Sequence, residues 1–128
     1  MRFLLDTHVV IWWAFEFERI SQKAQAILKN SDNEIVVSVI SAWEIAIKAK
    51  IEKITLSDTP DKFFVDFCRR NSITVLPVYA HHALETYNLP LLHRDPFDRI
   101  LIAQAKAENL TLITGDPLIR LYEVTTLW

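Results

Sequence analysis

Three carboxylates, Asp6, Asp98 and Asp116, stand where predicted elements begin or end, a fourth, Glu44, sits one turn into a predicted helix, and a fifth, Asp95, lies close to Asp98. Asp6 closes the apolar run Phe3-Leu4-Leu5, and Asp116 follows Leu112-Ile113-Thr114 through Gly115, the one glycine of the chain. Glu44 lies among Ile40, Trp43, Ile45 and Ile47, and Asp98 opens a segment after His93-Arg94-Asp95-Pro96. Two carboxylates about 4 Å apart repel by roughly 4 kcal/mol at an effective dielectric of about 20, so four in one crevice require cations. Oxygen donors without cysteine suit Mg²⁺ or Mn²⁺ rather than structural zinc. One or two such ions can stabilise the attacking and leaving oxygens of a phosphodiester displacement. Metal-dependent phosphodiester hydrolysis is therefore the chemistry these residue types suggest.

Each acid also has a plainer reading. Aspartate is among the best N-cap residues, worth about 1 kcal/mol, and Asp6, Asp95 and Asp116 all stand at cap positions. Asp95-Pro96-Phe97-Asp98 has the form of a capping box with proline at the first helical position. Glu44 can pair with Lys48 one turn on, worth about 0.2–0.5 kcal/mol. That gain is small beside the several kcal/mol that burying a carboxylate costs.

Alternating strands and helices are needed to bring these acids together. Strands are expected at Arg2–Leu5, Glu34–Val39, Ile73–Val78, Thr111–Thr114 and Val124–Leu127. Helices are expected at Thr7–Phe15, Ser21–Lys29, Ser41–Ile51, Thr59–Arg70, Tyr79–Tyr87 and Phe97–Glu108, with a helical turn at Pro117–Leu121. Such alternation predicts an α/β sandwich with a mostly parallel sheet. Ligands of an open parallel sheet bind beyond the carboxyl ends of its strands, where Asp6 and Asp116 fall. The helix after the second strand lets Glu44 reach back to the same edge.

At 128 residues and 51% apolar content, the chain is expected to form a single ordered domain over residues 1–128. The longest apolar run, Val9–Phe15, is seven residues, against the roughly 20 that a membrane helix needs. Asp6 and His8 break up the N-terminal apolar stretch, which lacks the form of a secretion signal. One cysteine, Cys68, excludes an internal disulfide and suits a reducing cytoplasm. A formal net charge of −2 disfavours a sequence-reading DNA binder, although two bound divalent ions would bring it to +2.

Together, Leu4-Leu5-Asp6-Thr7-His8, Ser41-Ala42-Trp43-Glu44-Ile45, His93-Arg94-Asp95-Pro96-Phe97-Asp98-Arg99 and Thr114-Gly115-Asp116 resemble the PIN-domain nucleases. Within these, the resemblance is strongest to the VapC-like toxins of bacterial toxin–antitoxin pairs. It covers essentially the whole chain, in order. It implies a PIN-like three-layer sandwich with a five-stranded sheet flanked by helices, and a Mg²⁺- or Mn²⁺-dependent endoribonuclease. It also implies a homodimer and a cognate antitoxin that inserts into the active-site groove. Carried over by position, the family's acidic quartet falls on Asp6, Glu44, Asp98 and Asp116, with Asp95 as cap or outer support.

Further candidates surround the acids. The hydroxyls of Thr7 and Thr114 suit the orienting of carboxylates, or plain capping. Arg94 and Arg99 suit RNA phosphates or local ion pairs. His8 is read as a hydrogen-bonded bystander that could also touch substrate. Trp12, Trp13 and Trp43 are read as core or dimer interface, and the adjacent His81 and His82 as surface or interface residues. A haloacid-dehalogenase-like site would need a second aspartate where His8 stands, and a receiver-like site a lysine that Thr114-Gly115-Asp116 does not offer. The alternative function is a catalytically inactive PIN-like module that binds protein.

Overall fold

The computed structural model describes residues 1–128. Five strands form one sheet: β1 (Arg2–Leu5), β2 (Glu34–Ser38), β3 (Thr74–Leu76), β4 (Thr111–Ile113) and β5 (Thr126–Leu127). Their order is β3-β2-β1-β4-β5, and all four pairings are parallel. β1 is central, with Leu4 in register with Val36 on one side and Leu112 on the other. A parallel sheet must be covered on both faces, which is why these strands read as continuous apolar runs.

Alternate side chains feed two cores. Phe3, Leu5, Ile35, Val37 and Ile113 pack with residues of α1 (Thr7–Phe15), α2 (Gln22–Lys29) and α4 (Pro60–Arg70). Leu4, Val36 and Leu112 pack on the other face against Leu101, Ala105 and their neighbours in α6 (Pro96–Ala107). Between β2 and α4 runs α3 (Val39–Lys50), which gives Ile45 to the first core and Ile40 to the second. α5 (Ala80–Glu85) precedes a 3₁₀ turn at Thr86–Asn88 and packs on α6.

Several element ends differ from the expected ones. The second strand stops at Ser38 and its helix starts at Val39, two residues before the expected Ser41, because the Ser38 hydroxyl accepts the Ile40 N–H at 3.0 Å. The third strand pairs only over Thr74–Leu76, since it is an edge strand running into Pro77. The fifth is cut to Thr126–Leu127, the expected Tyr79–Tyr87 helix divides after Glu85, and an unforeseen 3₁₀ turn covers Phe17–Arg19. His82, expected at the surface or an interface, is fully buried within the fold: its Nδ1 accepts the Tyr79 N–H at 3.0 Å and its Nε2 meets Glu108 Oε1 at 3.1 Å. Trp43 is not core; it is 59% exposed and lies edge-on to Phe97.

Helices α3, α4 and α6 end alike. Glu52, Ser72 and Asn109 take left-handed backbone, with φ of 61°, 53° and 54°. The following amides, of Lys53, Ile73 and Leu110, return to the carbonyls of Lys48, Cys68 and Ala105. These are Schellman closures made without glycine.

Candidate metal-binding active site

The sheet reverses its winding between β1 and β4, so the crevice beyond their carboxyl ends is the expected ligand position. Asp6 and Asp116 both lie there, each directly beyond one of those two strands. Asp6 is buried, and three groups hold its carboxylate: the Thr7 N–H at 2.7 Å, the Thr114 hydroxyl at 2.8 Å and His8 Nδ1 at 3.1 Å. His8 Nε2 accepts the Gly115 N–H at 3.3 Å, so the proton on Nδ1 points at Asp6. The Thr114 hydroxyl also accepts the Asp116 N–H at 3.0 Å, joining the two acids through one oxygen. Asp116 Oδ1 takes the Leu118 N–H at 2.9 Å.

Gly115 is required here for space. A Cβ on it would meet Trp128 Cε2 at 2.8 Å, and its φ is not in the left-handed region. Trp128 in turn lies 5.9 Å, ring to ring, from both His8 and Trp12.

α6 runs back toward the start of β4, which puts its N-terminus at the site. Asp95 caps it, accepting the N–H groups of Phe97 at 2.9 Å and Asp98 at 3.2 Å through Oδ1. Asp98 is buried, and burial pushes its carboxyl up to about 7. A hydrogen bond from His93 opposes that rise, while the charges of Asp6, Asp95 and Asp116 add to it. Four carboxylates therefore share one field.

Glu44 is a buried residue of α3, the helix that follows β2. The Thr7 and Ser41 hydroxyls meet at 2.9 Å, tying α1 to α3 one turn before Glu44. Glu44 Oε2 pairs with Lys48 at 3.0 Å, but Oε1 is buried with no hydrogen-bond partner. A buried oxygen without a donor is costly unless something cationic meets it, and an all-oxygen set of this kind fits Mg²⁺ or Mn²⁺.

The flanking candidates part company. Arg94 is exposed, next to His93. Arg99 is engaged within the fold: its Nη1 and Nη2 donate to the carbonyls of Pro90, Thr86 and Leu89 and to the Tyr122 hydroxyl at 2.8–3.2 Å. Thr7 serves through its backbone N–H, its hydroxyl being directed to Ser41. The sequence motif alone gives His93 no role, because its contact with Asp98 at 3.0 Å depends on how the loop before α6 folds back.

A second group of possible ligands, His81, His82 and Glu108, brings its atoms within 4.8 Å of one another. His82 Nδ1 already accepts a backbone N–H, so its proton sits on Nε2, directed at Glu108. Coordination through Nε2 would set two protons against each other at Tyr79. That cluster is a structural hydrogen-bond network.

The PIN domain family model matches residues 3–124. Among curated proteins, ribonuclease VapC22 of Mycobacterium tuberculosis is 31% identical over 119 residues, covering 91% of this chain and 88% of the relative. The fold is similar to that of VapBC2 from Rickettsia felis bound to a promoter DNA fragment (TM-score 0.72, 17% identity, 99% and 98% of the two chains). It is similar also to DNA-bound VapBC from Salmonella typhimurium (TM-score 0.67, 17% identity, 99% and 97% of the chains).

Proposed function

We propose that this chain, which belongs to the PIN domain family, is a single-domain Mg²⁺- or Mn²⁺-dependent endoribonuclease over residues 1–128, acting as the toxin of a toxin–antitoxin pair. The observation that carries this reading is the gathering of Asp6, Asp98 and Asp116 at the switch point of the sheet, with Asp98 pushed up to about 7. Glu44 adds a buried oxygen that lacks a donor. The ribonuclease relative supports it, and among the structural neighbours is a toxin–antitoxin complex from Klebsiella pneumoniae.

In this reading Asp6, Glu44, Asp98 and Asp116 hold one or two ions. A bound divalent ion supplies Lewis acidity and offsets the charge that develops on the attacking and leaving oxygens of a phosphodiester. With its carboxyl at about 7, Asp98 is about half protonated at pH 7 in the metal-free protein, and serving as a ligand would require it to give up that proton to solvent. The Thr114 hydroxyl and His8 keep the Asp6 carboxylate in one orientation. Arg94, exposed beside the acids, takes an RNA phosphate. The partners proposed are an RNA, a cognate antitoxin and a second copy of the chain, in the cytoplasm. No helix is long and apolar enough to cross a membrane.

The test is induced expression in a bacterium, wild type beside Asp6→Asn, with new RNA ends mapped across the transcriptome. The expected result is growth arrest with new ends at a few defined sites, both lost in the variant. Soluble, folded protein that binds no Mn²⁺ and creates no new ends would favour the protein-binding module instead.

A further inference from the structure

We propose that His93, locked by Tyr122 and Arg99, is the positioning residue that aims the Asp98 carboxylate into the metal site; the inference rests on the nuclease reading above. Asp6 is held by three donors, whereas the Asp98 carboxylate has one hydrogen bond, from His93 Nε2 to Oδ2 at 3.0 Å. Its orientation therefore hangs on that imidazole, whose side chain is only 9% exposed.

The direction of this bond follows from its neighbours. The Tyr122 oxygen lies 3.2 Å from the His93 backbone N–H and 3.0 Å from Arg99 Nη1, so both donors fill its acceptor positions. Its own proton has two acceptors in reach, His93 Nδ1 at 2.8 Å and the His93 carbonyl at 3.5 Å, and the much shorter contact takes it. With Nδ1 accepting, the ring proton is on Nε2 and donates to Asp98. Oδ2 is engaged, and Oδ1 is left for a cation.

Arg99 makes the arrangement rigid. Its bonds to the carbonyls of Thr86, Leu89 and Pro90 clamp the segment before the motif onto the first turn of α6, where Asp98 also lies. Outer partners that fix a ligand in this way typically change metal affinity by about 10–100-fold when removed.

The experiment measures Mn²⁺ affinity by calorimetry, RNA cleavage and thermal melting for wild type, His93→Ala, His93→Gln and Tyr122→Phe. A glutamine amide can replace the Nε2 donor. The expected result is a Kd for Mn²⁺ raised about tenfold or more in His93→Ala and less in Tyr122→Phe, with His93→Gln within about threefold of wild type. The kcat should fall in the same order with KM for RNA little changed. Should His93→Ala fail to fold, the ranking of the other two against wild type decides. Wild-type Mn²⁺ affinity in every folded variant overturns this inference alone. A wild-type chain that takes up no Mn²⁺ overturns the nuclease reading, and this inference with it.

Discussion

The Thr114 hydroxyl donates to Asp6 Oδ2 at 2.8 Å across 108 positions of sequence, and the same oxygen accepts the Asp116 N–H at 3.0 Å. One hydroxyl thus links two acids that follow neighbouring strands. Thr114→Val keeps the shape and removes both bonds. It should cost about 1–2 kcal/mol of stability in urea denaturation, and weaken Mn²⁺ binding by about tenfold in a calorimetric titration. Unchanged affinity would show that Asp6 and Asp116 hold their places without it.

Asp98 gives the stability a pH dependence of known sign. Its carboxyl is raised to about 7 from an ordinary value of 3.8, so between those values the folded state binds a proton that the unfolded state has lost. The metal-free protein should therefore lose stability as pH rises from about 4 to about 7. Asp98→Asn should remove that part of the slope, fold normally and be more stable than wild type at pH 8. Denaturant melts of both proteins across this range check it, and a difference between variant and wild type that does not grow with pH would contradict the assignment.

Ser72 and Glu52 occupy left-handed positions that glycine takes without strain. Ser72→Gly should stabilise the protein by about 0.5–1 kcal/mol, the steric relief exceeding the added chain entropy. That corresponds to a rise of roughly 2–4 °C in Tm. Asn109→Gly should gain less, because asparagine tolerates this region. Scanning calorimetry decides.

Arg99 and Arg94 separate structure from substrate. Arg99→Lys loses most of the bonds from Nη1 and Nη2 and should cost about 2 kcal/mol in thermal or chemical melts. Arg94→Ala should leave the melt unchanged and raise KM for RNA about three- to tenfold. If Arg99→Lys melts like wild type, the guanidinium is not the clamp described above.

The order of elements was legible because the apolar runs switch period plainly, from Phe3-Leu4-Leu5 to the helix that follows and from Ile35-Val36-Val37 to α3. Ends were less so. Val39 continues a β-branched run, yet Ser38 caps a helix there, so one hydroxyl bond outweighs local propensity. Asp6, Asp98 and Asp116 could be proposed from their places at element ends together with the family resemblance, which alone preferred Asp98 to Asp95, and Glu44 from the apolar company it keeps. What holds them could not, since the contacts of His93 with Tyr122 and of Arg99 with Thr86 exist only after the chain before α6 folds back. His82 was misread for the same reason. Two adjacent histidines resemble a polar surface until Tyr79 and Glu108 close around one of them.

β1 at the centre of the sheet has a consequence for the timing of synthesis. It pairs with β2 early but must wait for β4, the last of its neighbours to be made. At ~5–20 residues per second, the ribosome needs roughly 5–20 s between adding Asp6 and adding Asp116. Through that interval the nascent chain sits against ribosomal RNA with its acids unassembled. If those acids cut RNA, the topology itself delays activity until the chain has left the RNA nearest to it.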